Sequence, residues 1–178
     1  MHRRILVALE NNQIGNDVFR EALSFAKISG ARLMLLHVMS PFDERYINPV
    51  SIDPYSYYPA MHSEAMLQTV ENWEKLKQDN VNFLNKLCSQ ATFDGITSEF
   101  TQSVGDPGQS ICEVASNWQA DLIIVGRRGR TGLSEFFLGS VSNYVLHHAP
   151  CSVLTIQKKQ QKTKETFTQP ETTEAAVR

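Results

Sequence analysis

The sequence predicts an α/β fold: an open, five-stranded parallel sheet with helices on both faces. Two observations carry the prediction. Short apolar runs such as Ile5-Leu6-Val7-Ala8-Leu9 show no polar alternation, as expected of strands covered on both sides. They alternate along the chain with stretches whose apolar residues recur at helical spacing, which is the pattern of βαβ units.

Taken in order, the run at 5–9 is strand β1. A polar turn, Glu10 to Asn16, leads into α1, where Val18, Phe19, Ala22, Leu23, Phe25 and Ala26 share helical spacing and Gly30 is the stop signal. "ARLMLLHVM" (31–39) is a second buried strand, β2. From Ser40 to about residue 62, four prolines and the cluster Tyr55, Tyr57, Tyr58 make a segment too proline-rich for a helix and too long for a simple connection, the character of a lid. The stripe Met66, Val70, Trp73, Leu76, Val81, Leu84, Leu87 predicts α2 over 63–88. Residues 96–103 alternate as β3. After "GDPG", Ile111, Val114, Ala115 and Trp118 share one face of α3, "ADLIIVG" (120–126) is β4, "SNYVLHH" (142–148) a short α4, and "CSVLTI" (151–156) β5. Beyond 156 the chain turns to Lys, Gln, Thr and Glu with a lone Phe167. Such a segment buries too little apolar surface to offset its ordering entropy, so 1–156 reads as one domain and 157–178 as a disordered tail.

Composition narrows function. A net charge of -2 and a pI of about 6.2 give no general attraction for nucleic acid or an anionic membrane, so any phosphate preference must be local. Cys88, Cys112 and Cys151 are far apart in sequence and have neither CxxC pairing nor a histidine at metal-ligand spacing, so they read as reduced, buried thiols. No apolar run approaches the roughly 18 residues of a membrane span, and the short apolar stretch of "MHRRILVALE" is broken by Glu10. The expectation is a cytoplasmic protein with no cleaved signal. No fixed period repeats, which excludes a solenoid.

The chemistry concentrates in "GRRGRTGLSEFFLGS" (126–140). In an open parallel sheet, ligands sit beyond the carboxyl ends of the strands, and this stretch begins at such an end. Gly126, Gly129 and Gly139 allow the backbone to approach an anion, and Ser140 and Ser142 add hydroxyls in the first turn of a helix whose start favours negative charge. Three fixed glycines followed by Ser or Thr arise by chance in roughly one chain of this length in a hundred, so the placement between strand and helix carries the weight. The spacing is neither a Walker A loop nor GxGxxG. Of the arginines, Arg127 and Arg128 read as surface.

With G-x2-G-x9-G-S after "DLIIVG", "ILVALE" at the start, "GDPGQSICEVA" between, and "APCSVLTI" at the end, the chain resembles the universal stress protein family from about residue 3 to 156. The resemblance implies strand order 3-2-1-4-5, a homodimer joined through the last strand (about 151–156), and binding of ATP, ADP, AMP or another adenine nucleotide, with Mg²⁺ as a companion. Position by position it implies that Gly126, Gly129, Gly139 and Ser140 form the phosphate and ribose loop. Arg130, Val141 and Ser142 continue it, Val38 touches the base, and Ala8 and Leu9 lie near the base through their backbone. One departure stands out. Where the family carries Asp and a small pair after β1, this chain reads Glu10-Asn11-Asn12, whose longer carboxylate can still accept from a ribose hydroxyl or a base amine.

Simpler roles exist for the same residues. Glu10 can cap α1, Asp106 can cap α3, and His37 reads as a core histidine. His147 and His148 point about 100° apart on a helix and are poor joint ligands. The leading reading is a nucleotide-binding stress sensor or regulator. Its rivals are a weak ATPase, for which only Glu10, Asp17 and the serines offer Mg²⁺ ligands, and a dimeric interaction protein that ignores nucleotides.

Overall fold

The computed structural model describes residues 3–40, 59–127 and 139–157. Five parallel strands form one sheet in the order β3-β2-β1-β4-β5, with β1 at Arg4–Ala8, β2 at Arg32–Met39, β3 at Ser98–Val104, β4 at Leu122–Gly126 and β5 at Ser152–Ile156. This is the strand order that the resemblance implies. The proline-rich segment at 41–58, Gly129 and Arg130 of the loop, and the tail beyond 157 lie outside the described residues.

Alternate strand residues serve opposite layers, which is why the strands read as unbroken apolar runs. Ile5, Val7, Leu33, Leu35, Leu122 and Ile124 meet α1 (Gln13–Ser29) and α2 (Pro59–Phe93) in one core. Leu6, Met34, Leu36 and Ile123 meet α3 (Pro107–Asn117) and α4 (Ser140–His148) in the other.

The helix boundaries follow from their caps. α1 starts at Gln13, inside the predicted turn, because the Asn12 side chain accepts from the Gly15 N–H at 2.9 Å. It ends where Gly30 takes the left-handed conformation, φ 68°, and its N–H reaches the Ala26 carbonyl. α2 is longer than its apolar stripe predicts. Pro59 suits a first turn that needs no N–H, and the helix runs on past Ala91 until Gly95 turns at φ 77°. That last turn leaves Phe93 exposed and brings Asp94 to Lys27 of α1, 3.3 Å apart. β3 begins at Ser98 because the Ile96 N–H bonds back to the Ala91 carbonyl.

At the amino ends of the strands the rim is tied together by polar groups. The Asp121 carboxylate accepts from the Arg3 and Arg4 N–H groups, and the Arg4 guanidinium donates to the Trp118 carbonyl at 3.1 Å. The Trp118 indole donates to Glu99 at 2.7 Å, and the Arg32 guanidinium lies over its ring. The opposite rim is built differently.

Candidate nucleotide site

β1 and β4 are neighbours at the centre of the sheet, with Ala8 beside Val125. From β1 the chain turns toward β2, and from β4 toward β5, so the connections part and leave a crevice above the carboxyl ends. The crevice measures about 470 Å³, within the range of small-molecule sites. Nine of the sequence-predicted residues line it: Ala8, Leu9, Glu10, Val38, Gly126, Gly139, Ser140, Val141 and Ser142. The other two, Gly129 and Arg130, fall outside the described residues.

The β1–α1 wall satisfies its own polar groups. Asn12 caps α1 through its side-chain oxygen, while its amide donates to Glu10 Oε2 at 2.7 Å. Its carbonyl accepts from the Asn16 side chain. Asn11 reaches across to the buried Asn80 of α2 at 3.3 Å. The cap is therefore Asn12, and Glu10 leans on it instead of capping α1. Gly15 is the hidden requirement of this turn, because a Cβ there would lie 1.9 Å from the Glu10 carbonyl oxygen.

The β4–α4 wall leaves its helix start open. Gly139 is the N-cap residue of α4, and no side chain of the described residues caps the helix. Ser140 is exposed at the first position. Ser142 is buried, and its hydroxyl donates to the Gly139 carbonyl at 3.0 Å. The expected hydroxyl donor at Ser142 is thus spent within the loop, leaving Ser140 and the backbone N–H groups to face a ligand. Gly126 allows α1 to close on β4, since a Cβ there would lie 2.9 Å from Val18 Cγ2. Arg127 turns toward the β5 side, where its guanidinium donates to Gln157.

Asp106 accepts from the Gln109 N–H at 3.0 Å and caps α3, as the sequence suggests. It also lines the crevice beside Pro107 and Ile111. His37 is buried at the crevice floor. His148 instead stacks on Tyr144, with ring centroids 4.1 Å apart. Asp17, a candidate for Mg²⁺, is ion-paired with Arg20 on α1 and is not among the lining residues. Burial pushes the thiols of Cys88, Cys112 and Cys151 up from their ordinary value, which makes them weak nucleophiles.

The model of the universal stress protein family matches residues 1–157. The chain belongs to this family. Universal stress protein Sll1388 of Synechocystis is 37% identical over 158 residues, covering 86% of this chain and 97% of that one. Universal stress protein MJ0531 of Methanocaldococcus jannaschii is 27% identical and covers 89% of this chain and 84% of its own. Among solved universal stress protein folds, hypothetical protein MJ0577 superposes with a TM-score of 0.67 at 21% identity, over 90% of this chain and 99% of that one. A universal stress protein in complex with cAMP has a TM-score of 0.56 at 18% identity, covering 88% and 97%. A family protein from Arabidopsis thaliana with AMP bound has a TM-score of 0.52 at 22% identity, covering 92% and 97%. Among the described residues, no helix is long and apolar enough to cross a membrane.

Three residues in or beside the crevice are not assigned to it by the sequence. Asn12 sits there within a polar turn, yet Asn three residues after the apolar run 5–9 and just before a helical stripe is a cap signal. Gly15 carries a signal too, since glycine inside a helix weakens it and calls for a packing reason. Asp106 reads as a cap alone, and its place at the crevice depends on tertiary structure.

Proposed function

We propose that the crevice binds an adenine nucleotide and that the protein is a nucleotide-responsive regulator of a stress response. The observation that carries the reading is the uncapped start of α4. Its first N–H groups and the positive end of its dipole border the crevice, and among the described residues no side chain caps them, which suits a phosphate. Relatives of the same fold bound to AMP and to cAMP support the choice of ligand.

On this reading Gly126, Gly139, Ser140, Val141 and Ser142 bind the phosphates through their backbone, joined by Gly129 and Arg130. Val38, Ala8 and Leu9 border the base, and Glu10 accepts from a neutral donor of the ligand. Among the described residues, ATP arriving with Mg²⁺ would find two lining carboxylates, Glu10 and Asp106, the second of which already caps α3, a sparse set for hydrolysis. Binding, not turnover, is the activity the residues favour. A ligand that prefers one arrangement of the loop shifts the population toward it, which is how such a protein would signal. We place the protein in the cytoplasm as a homodimer joined along β5.

Calorimetric titration with ATP, ADP, AMP and cAMP tests the reading. Heat and a raised melting temperature with at least one of them are expected. Silence with all four, in a buffer without phosphate, would sink it and favour an interaction protein.

A further inference from the structure

We propose that Asn12 is a positioning residue for ligand recognition: it holds the Glu10 carboxylate in one orientation, so that Glu10 accepts a hydrogen bond from a neutral donor of the nucleotide. The inference rests on the nucleotide reading above and adds to it a residue that does not line the crevice itself.

The geometry is specific. The two ends of the Asn12 side chain do different things: its oxygen accepts from the Gly15 N–H at 2.9 Å, and its nitrogen donates to Glu10 Oε2 at 2.7 Å. The amide cannot turn over without losing both bonds, so the helix cap fixes the direction in which it donates. The backbone closes the same ring, because the Asn12 N–H donates to the Glu10 carbonyl at 2.8 Å and Gly15 packs directly against that carbonyl. A glutamate has one more rotatable bond than an aspartate. Here a neighbour restrains the extra freedom at Oε2, and a carboxylate, with two oxygens and about four lone-pair positions, can accept from a ligand in addition to its protein partners.

The chemistry of what reaches it follows from charge. A carboxylate repels phosphate, and the opposite wall offers the uncapped start of α4 for an anion. The part of the ligand at Glu10 is therefore uncharged and carries a donor, either a ribose hydroxyl or the exocyclic amine of the base.

The test separates positioning from capping. Asn12→Asp keeps an equally good cap for α1 but replaces the donated bond with like-charge repulsion. Its melting temperature should stay within a few degrees of the unaltered protein, while AMP binds at least about tenfold more weakly. Glu10→Gln should weaken AMP similarly, by offering an amide where an acceptor is needed. The double variant Glu10→Gln/Asn12→Asp exchanges donor and acceptor within the pair. Its introduced amide donates to its introduced carboxylate and turns the amide carbonyl to the ligand, so most of the affinity should return. A merely structural Asn12 predicts no such recovery.

Two analogues identify the donor. The Glu10→Gln penalty should vanish with 2′,3′-dideoxy-AMP if a hydroxyl is read, and with IMP if the amine is read. A penalty undiminished with both overturns the inference, as does AMP affinity unchanged in Asn12→Asp or a double variant no better than the singles. Failure of the unaltered protein to bind AMP, ATP, ADP or cAMP overturns the nucleotide reading and this inference with it. NMR of the Asn12 side-chain amide in the ligand-free protein distinguishes the cases. Its signals should move on Glu10→Gln whether or not nucleotide binds, and if they do not, the pair itself is refuted.

Discussion

The two walls of the crevice begin alike, each a buried strand leading into a helix, and finish differently. After β1, a side chain caps the helix, that same side chain bonds Glu10, and Gly15 seals the turn against a carbonyl. After β4, the helix starts at Gly139 with no side-chain cap among the described residues, and the nearby hydroxyl of Ser142 serves a carbonyl instead. One wall is complete without a ligand. The other leaves its helix start uncapped among the described residues, and on the nucleotide reading proposed above this asymmetry divides affinity from selectivity: α4 would attract the anion, whereas the carboxylate of Glu10 would discriminate among what the anion is attached to.

Substitutions can break each wall in turn. Gly15→Ala forces a Cβ into the Glu10 carbonyl and should cost at least about 2 kcal/mol, read as a lower urea midpoint at unchanged slope. Gly108→Ala puts a Cβ 2.7 Å from the Tyr144 ring, which seats α4 on α3. It should cost about 1–3 kcal/mol, and much less in a Tyr144→Ala background. Asn12→Ala removes the cap of the complete wall and should cost about 1 kcal/mol.

The open wall should respond in the opposite sense. Gly139 has φ −58° and ψ 152°, which any residue adopts, so Gly139→Asp can supply the missing cap. Ligand-free stability should rise by a few tenths of a kcal/mol, while nucleotide affinity falls by roughly tenfold as the carboxylate occupies and repels the phosphate position. A gain in both would refute the idea that the donors are reserved for a ligand.

A smaller effect comes from the half-buried thiols. Their pKa values lie above the ordinary 9.0 in the folded protein, so the unfolded chain loses its protons first as pH rises. Stability should be unaffected by them below that value and should decline above it. Denaturant midpoints from pH 7 to 10, compared with a variant in which all three cysteines are alanine, measure this difference.

The sheet was legible because its strands are buried on both faces. Runs such as Leu122 to Val125 admit few other interpretations once helical stripes separate them. Gly126, Gly139 and Ser140 were legible as well, since glycine spacing survives in the sequence. The contents of the β1–α1 turn were less so. Glu10-Asn11-Asn12 shows three polar residues without showing which bonds to which, and the division of tasks among them is set by the Asn12 cap and by the reach of Asn11 to Asn80. Helix ends fixed by backbone conformation, as at Gly95, likewise exceed the apolar stripes that announce them.

The register of β1 against β4, with Ala8 beside Val125, makes the floor of the crevice from residues whose side chains also belong to the packed layers or their edges. Its selective groups hang from turns. Foldability and ligand preference are thereby entrusted to different residues, and the second can drift while the first is held. On the nucleotide reading, a turn that reads Glu-Asn-Asn could change what is recognised while the packed strands beneath it stay as they are.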